Sequence, residues 1–273
     1  MPDSIRRILT ALIAAPVVIG IAYVGGWAFA ALVAGIGLLA QSEVYTIARS
    51  SGLAPSQPVG FLLGGAIVAG VLIPGIWAAA VGVVALVVAL APFVIERESF
   101  LANLSVTLVA AIYPTGLLAG LVAIRAGRGA DTTDLDAFFL VMMTLFLVWA
   151  TDIFAYYVGK TIGSTPLAPS ISPNKTWEGS AGGAVAAALV ATGFKLVGAV
   201  DLAWLHLAAV AIICGMLSQA GDLAESQIKR SAGVKDASSV LPGHGGILDR
   251  FDAMAVAAPL VFLYLQFVAR VFS

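Results

Sequence analysis

Apolar runs of about 20 residues follow one another along almost the whole chain, and that is the length a helix needs to cross the hydrocarbon of a bilayer. Short breaks rich in glycine, proline or charge separate them. Of the 273 residues 60% are hydrophobic and 11% charged, against about 25% charged in a soluble domain. So few charges cannot coat a water-facing surface. The fold class this implies is all-α, a polytopic transmembrane helical bundle.

Counting runs predicts about nine transmembrane helices, near 5–24, 27–48, 59–73, 76–95, 104–124, 137–158, 180–197, 203–220 and 253–272. Gly25-Gly26 and Pro74-Gly75 mark tight turns, and Glu96-Arg97-Glu98 closes the fourth helix. A soft boundary divides N-terminal helices (1–136) from a C-terminal region (137–273) that holds the chemistry, as one membrane-embedded unit. Small residues at Gly60/Gly64 and Gly116/Gly120 suit close helix contact. Arg6 and Arg7 before the first run imitate a secretory leader, but the next apolar segment follows at once, so the run is read as a helix. Cys214, the single cysteine, reads as a small buried hydrophobe. A net charge of -1 offers no basic field, so no nucleic-acid partner is expected.

With nine spans, one side receives Arg6, Arg7, Arg49, Arg97, Lys160, Lys175, Lys229, Arg230, Lys235 and Arg250, ten bases against four (Arg125, Arg128, Lys195 and Arg270). The excess of bases puts the N-terminus and the polar loops in the cytoplasm. Six of the ten lie in the two polar stretches described next.

Residues 222–252 hold nine of the chain's 29 charged residues: Asp222, Glu225, Asp236, Asp249 and Asp252 with Lys229, Arg230, Lys235 and Arg250. Asp222/Glu225 and Asp249/Asp252 are each three apart, so on helices each pair shares a face. Charges at membrane ends cost roughly 2.5–3.5 kcal/mol each if drawn to the bilayer centre. A divalent cation between them offsets that cost, and hard carboxylate oxygens suit Mg²⁺ better than zinc. The bases between the pairs complement a polyanion, and Gly243-His244-Gly245-Gly246 makes a turn whose amides can approach phosphate oxygens. Together they point to phosphoryl or nucleotidyl transfer.

A second polar stretch runs from Asp152 to Gly179. Asp152 sits inside an apolar run, and an intramembrane carboxylate is a functional candidate by default. Asp152, Tyr156 and Lys160 fall on one helical face. Ser172 reads as a local cap, Lys175 and Thr176 near a helix start can hold phosphate, and Trp177 suits an interface anchor. Glu43 reads as buried and paired. Asp131, Asp134 and Asp136 read as a solvated loop rather than a metal cluster, and His206 as a hydrogen-bonded helix-end histidine.

The central stretch is similar to the signature of the phosphatidate cytidylyltransferase family. The pattern Ser-x-apolar-Lys-Arg, then Lys-Asp-x-small, then Leu-Pro-x-His-Gly-Gly-apolar-x-Asp-Arg-apolar-Asp is filled by Ser226, Ile228, Lys229, Arg230, Lys235, Asp236, Ser238, Leu241, Pro242, His244, Gly245, Gly246, Ile247, Asp249, Arg250, Phe251 and Asp252. Gly221-Asp222-Leu223 before it and Ser172 to Gly179 upstream resemble family segments too. After Gly163 the family is usually basic, whereas this chain has Ser164-Thr165-Pro166.

The resemblance implies an enzyme that makes CDP-diacylglycerol and pyrophosphate from CTP and phosphatidic acid with Mg²⁺, a monovalent cation such as K⁺ being compatible beside it. It implies Asp222, Glu225, Asp249 and Asp252 as metal ligands. Catalytic roles fall to Asp222, Lys229, Arg230, Lys235, Asp236, His244 and Asp249, and substrate binding to Asp152, Ser172, Lys175, Thr176, Ser226, Gly245, Gly246 and Arg250. The implied setting is a multi-pass protein of a bacterial inner membrane with its site on the cytoplasmic side; a homodimer is compatible with it. The competing readings are a secondary transporter coupled through Asp152 and Glu43, which leaves 235–252 unexplained, and another membrane lipid transferase, whose motif spacings the sequence lacks.

Overall fold

The computed structural model describes residues 15–73, 86, 99–129, 132–234 and 246–272. Eight helices are described: α1 (Ala15–Val24), α2 (Gly26–Ser50), α3 (Gln57–Leu72), α4 (Phe100–Ala126), α5 (Asp134–Ile162), α6 (Trp177–Leu196), α7 (Trp204–Ser231) and α8 (Leu248–Val268). Six of them, α2 and α4–α8, are long and apolar enough to cross a membrane. The protein is thus an all-α, polytopic helical membrane protein. Apart from residue 86, the expected helix at 76–95 lies outside the described residues.

The chain forms two compact units, Met1–Val122 with Ile228–Phe251, and Ala123–Gln227 with Asp252–Ser273. In the first unit Ala40, Val44, Tyr45 and Ile47 of α2 pack with Ala110 of α4 and with Ile247 and Leu248. Polar groups buried in such a core must be paired. Accordingly Gln41 donates to the Tyr45 hydroxyl at 2.8 Å and accepts from Thr115 at 2.7 Å, while Tyr45 donates to the Thr107 carbonyl at 3.0 Å. The expected close contact at Gly60 and Gly64 is real. A Cβ at Gly64 would stand 2.7 Å from Gln41 Oε1, and one at Gly60 would collide with the Tyr45 hydroxyl. In α4, Pro114 lies in a π-helical turn, Ala111–Gly116. Proline lacks the N–H for the usual ladder, and the wider turn absorbs that loss without ending the helix.

In the second unit α5 starts at a capping box. Thr133 accepts from the Asp136 amide at 3.2 Å, and Asp136 accepts from the Thr133 amide at 2.8 Å. Asp134 pairs with Arg125 at 2.8 Å and with Arg128 at 2.6 Å, so Asp134 and Asp136 stand in the first turn of α5 and brace it. Asp131 lies outside the described residues. α6 packs along α5 at small residues, where a Cβ at Gly183 would stand 2.9 Å from the Thr151 carbonyl. Cys214 is fully buried, and His206 Nδ1 meets the Tyr264 hydroxyl at 2.9 Å, both as expected.

Three local expectations need correction. Residues 166–176 form an antiparallel hairpin, β1 (Pro166–Ala168) and β2 (Ser172–Thr176), with Pro166 opposite Thr176. Ser172 therefore lies in a strand, and the cap of α6 is Thr176, whose hydroxyl accepts from the Gly179 amide at 3.1 Å. α7 does not stop near residue 220 but runs on to Ser231 through the charged residues. α8 begins at Leu248 rather than at residue 253, so Asp249 and Asp252 are helical and Asp222 lies well inside α7.

Candidate active site

The second unit gathers one carboxylate group. Helical spacing puts Asp222, Glu225 and Ser226 on one face of α7, and Asp252 of α8 meets them: ligand oxygens of Asp222, Glu225 and Asp252 lie within 4.8 Å of one another. Glu225 is 2% and Asp252 6% exposed, and Asp222 is partly exposed. The approach depends on Gly221, because a Cβ there would stand 2.8 Å from the Asp252 carbonyl carbon. Gly221, one residue past the expected helix end at 220, is a contact point of α7 and α8.

Lys175 of β2 forms an ion pair with Asp222. Asp152 of α5 and Lys175 both lie within electrostatic range of Asp252. Lys160 stands over the Tyr156 ring at 5.7 Å, in keeping with the shared face. Ser172 and Thr176 flank Lys175 on β2, and Trp177 begins α6 exposed. The hairpin is fastened by Glu178, whose carboxylate accepts from Ser164 Oγ at 2.7 Å, Thr165 Oγ1 at 2.9 Å and the Thr165 amide at 3.2 Å. Ser164 and Thr165 thus help anchor the hairpin whose second strand carries Lys175. Sequence reading missed this role of Glu178, although an acid in the first turn of a helix is a recognisable capping signal.

The first unit holds the other half of the charged stretch. Lys229 donates to Asp249 Oδ1 at 2.6 Å, and the Gly246 amide donates to Asp249 Oδ2 at 3.0 Å. Lys229 is largely buried at its side chain, 13% exposed, whereas Arg230 and Arg250 are exposed. Glu43 of α2 is 2% exposed, as its reading as buried and paired anticipated. Its two oxygens accept from the Ile247 amide at 2.9 Å and the Leu248 amide at 2.8 Å. Lys235, Asp236, His244 and Gly245 lie outside the described residues.

Three carboxylates with hard oxygen donors, two of them buried, fit a cation. The group holds neither thiolate nor imidazole among the described residues, and such a donor set favours Mg²⁺, Ca²⁺ or Mn²⁺ over softer metals. Without a counter-charge, two buried carboxylates facing a third would repel strongly. A basic side chain stands beside a carboxylate within each unit taken by itself, Lys175 beside Asp222 in the second and Lys229 beside Asp249 in the first.

Residues 5–268 match the model of the cytidylyltransferase family. The chain is 33% identical to a phosphatidate cytidylyltransferase of Bacillus subtilis (strain 168) over 97% of its length and 98% of that protein's. It is 30% identical to one of Synechocystis sp. over 95% of this chain and 96% of the relative. A shorter match, 47% identical to a phosphatidate cytidylyltransferase of Brucella melitensis, covers 46% of this chain and 47% of the relative. A match over nearly the full length, together with a carboxylate group that the family signature helps build, leaves one conclusion: this chain belongs to the cytidylyltransferase family.

Proposed function

We propose that the protein transfers the cytidylyl group of CTP to phosphatidic acid, giving CDP-diacylglycerol and pyrophosphate. The observation that carries the reading at the level of residues is the group Asp222, Glu225 and Asp252, within 4.8 Å, with Lys175 paired to Asp222. Asp249, one turn before Asp252 on α8, is the fourth candidate ligand. The cation is Mg²⁺ in this reading, with a monovalent ion such as K⁺ beside it. When bound, the divalent ion neutralises phosphate charge and orients the triphosphate.

The lipid phosphate attacks the α-phosphorus of CTP. A new P–O bond forms to the lipid phosphate oxygen, and the bond from the α-phosphorus to its bridging oxygen breaks. Pyrophosphate leaves with that electron pair. The nucleophile is already an anion, so the chain need supply no strong base. What it must supply is relief of repulsion between two anions. In this reading Lys175, Lys229, Arg230, Lys235 and Arg250 supply the positive charge. Ser172, Thr176, Ser226, Gly245 and Gly246 offer hydroxyl and amide donors, Asp236 and His244 stand in the same stretch, and Asp152 lines the approach.

In the same reading the bundle has nine spans, with the motif segments at the cytoplasmic ends where a water-soluble nucleotide meets a bilayer-held lipid. The ten-to-four distribution of Lys and Arg supports that orientation, and the bacterial relatives support a cell-membrane location. The test uses purified protein in lipid nanodiscs with phosphatidic acid, Mg²⁺ and CTP labelled at the α- or the γ-phosphate. The α-label should move to the lipid and the γ-label to pyrophosphate. No α-label on lipid from folded protein would overturn the reading.

A further inference from the structure

Glu43 lies far in sequence from every motif of the charged stretch, yet its carboxylate holds the point where that stretch turns into a helix. A helix N-terminus leaves its first N–H groups without helical acceptors, and a carboxylate there is the strongest partner a side chain can supply. Glu43 takes the Ile247 amide at 2.9 Å and the Leu248 amide at 2.8 Å. The residue that follows is Asp249, which Lys229 and the Gly246 amide hold from its two oxygens. The amides that grip Asp249 and Glu43 are thus neighbours, at Gly246, Ile247 and Leu248.

The surroundings make this grip rigid. Ile247 and Leu248 are packed with Val44 and Ile47, neighbours of Glu43 on α2. α2 is also tied to α4 by Tyr45, whose hydroxyl donates to the Thr107 carbonyl at 3.0 Å. A plain apolar contact would allow α8 to rotate about its axis or slide along it. Two hydrogen bonds to one carboxylate remove both freedoms.

We infer that Glu43 is a positioning residue for the reaction: it fixes the first turn of α8 and so sets where the Asp249 carboxylate stands. The inference rests on the reading of Asp249 as a ligand of the reaction's cation. Glutamine at 43 keeps the size but offers one acceptor oxygen and turns an amide N–H₂ toward a backbone N–H. One of the two grips is then lost.

The experiment measures Mn²⁺ binding by electron paramagnetic resonance on the purified full chain without substrates, alongside hydrogen exchange of residues 246–248 without metal. Glu43→Gln should weaken Mn²⁺ about tenfold, in the range that second-layer partners of metal ligands command, and should speed exchange at Ile247 and Leu248. In an Asp249→Asn background Glu43→Gln should weaken Mn²⁺ no further, because its effect passes through Asp249. Thr115→Val removes a buried hydrogen bond of the same unit without touching α8 and should leave Mn²⁺ affinity unchanged. If Asp249→Asn weakens Mn²⁺ while Glu43→Gln does not, the inference falls. It falls too if Thr115→Val reproduces the loss, which would then be general loosening. If Asp249→Asn has no effect on Mn²⁺, the ligand reading falls first and takes this one with it.

Discussion

Replacing Gly221 by alanine should separate the carboxylates without removing any of them. The added Cβ would stand 2.8 Å from the Asp252 carbonyl carbon, 3.1 Å from Ala253 Cα and nearer still to the Asp252 carbonyl oxygen. Carbon atoms in contact prefer about 3.5–4.0 Å, so the backbone at Asp252 must retreat by about 1 Å. Neither neighbour can yield by a rotamer change, since both are backbone. Overpacking of this kind costs about 1–3 kcal/mol of stability, which leaves the bundle folded. Misplacement by about 1 Å at a reacting centre costs about 100-fold in rate. The assay is transfer of α-labelled phosphate to lipid, with Mn²⁺ affinity measured on the same preparation and thermal unfolding as the control for folding. Loss of both activity and Mn²⁺ affinity in a protein that still unfolds cooperatively is the expected result. Turnover within about threefold of the parent would refute the claim that Gly221 sets the Asp222–Asp252 approach.

Other perturbations separate the parts of the site. Asp249→Ala should abolish turnover while leaving membrane insertion intact, and near-normal turnover would remove it from the metal site. Lys175→Met should cut kcat/KM about 100-fold, by loss of a charge on the transferring phosphate, and a rise in KM alone would assign it to uniform binding. Thr133→Ala breaks the capping box of α5 and should cost about 1 kcal/mol, lowering Tm by about 2–4 °C without changing kcat. A drop in kcat there would show that the α5 cap is coupled to the chemistry.

Most of the helical frame was legible because membrane helices announce themselves by length and apolarity, and Gly60 and Gly64 marked a contact that the structure contains. Helix ends were less legible. Gly221 and the charges after it imitate a stop signal, yet α7 continues to Ser231, since a glycine inside a helix serves close packing as readily as termination. The hairpin at 166–176 was hidden by Pro166, Pro169 and Pro173, which read as an irregular loop; its pairing is enforced from outside by Glu178. Asp222, Glu225 and Asp252 could be singled out from spacing and family signature, but their convergence depends on the packing of α7 on α8. Glu43 could be read only as a buried acid, because its partners are backbone amides more than 200 residues away, and backbone groups leave no mark in a sequence.

The most direct measurement of the central claim is anomalous X-ray scattering from crystals of the protein grown with Mn²⁺. A peak within about 2–2.5 Å of carboxylate oxygens of Asp222, Glu225 and Asp252 is the predicted result. A bound Mn²⁺ located elsewhere, with that group empty, would contradict it.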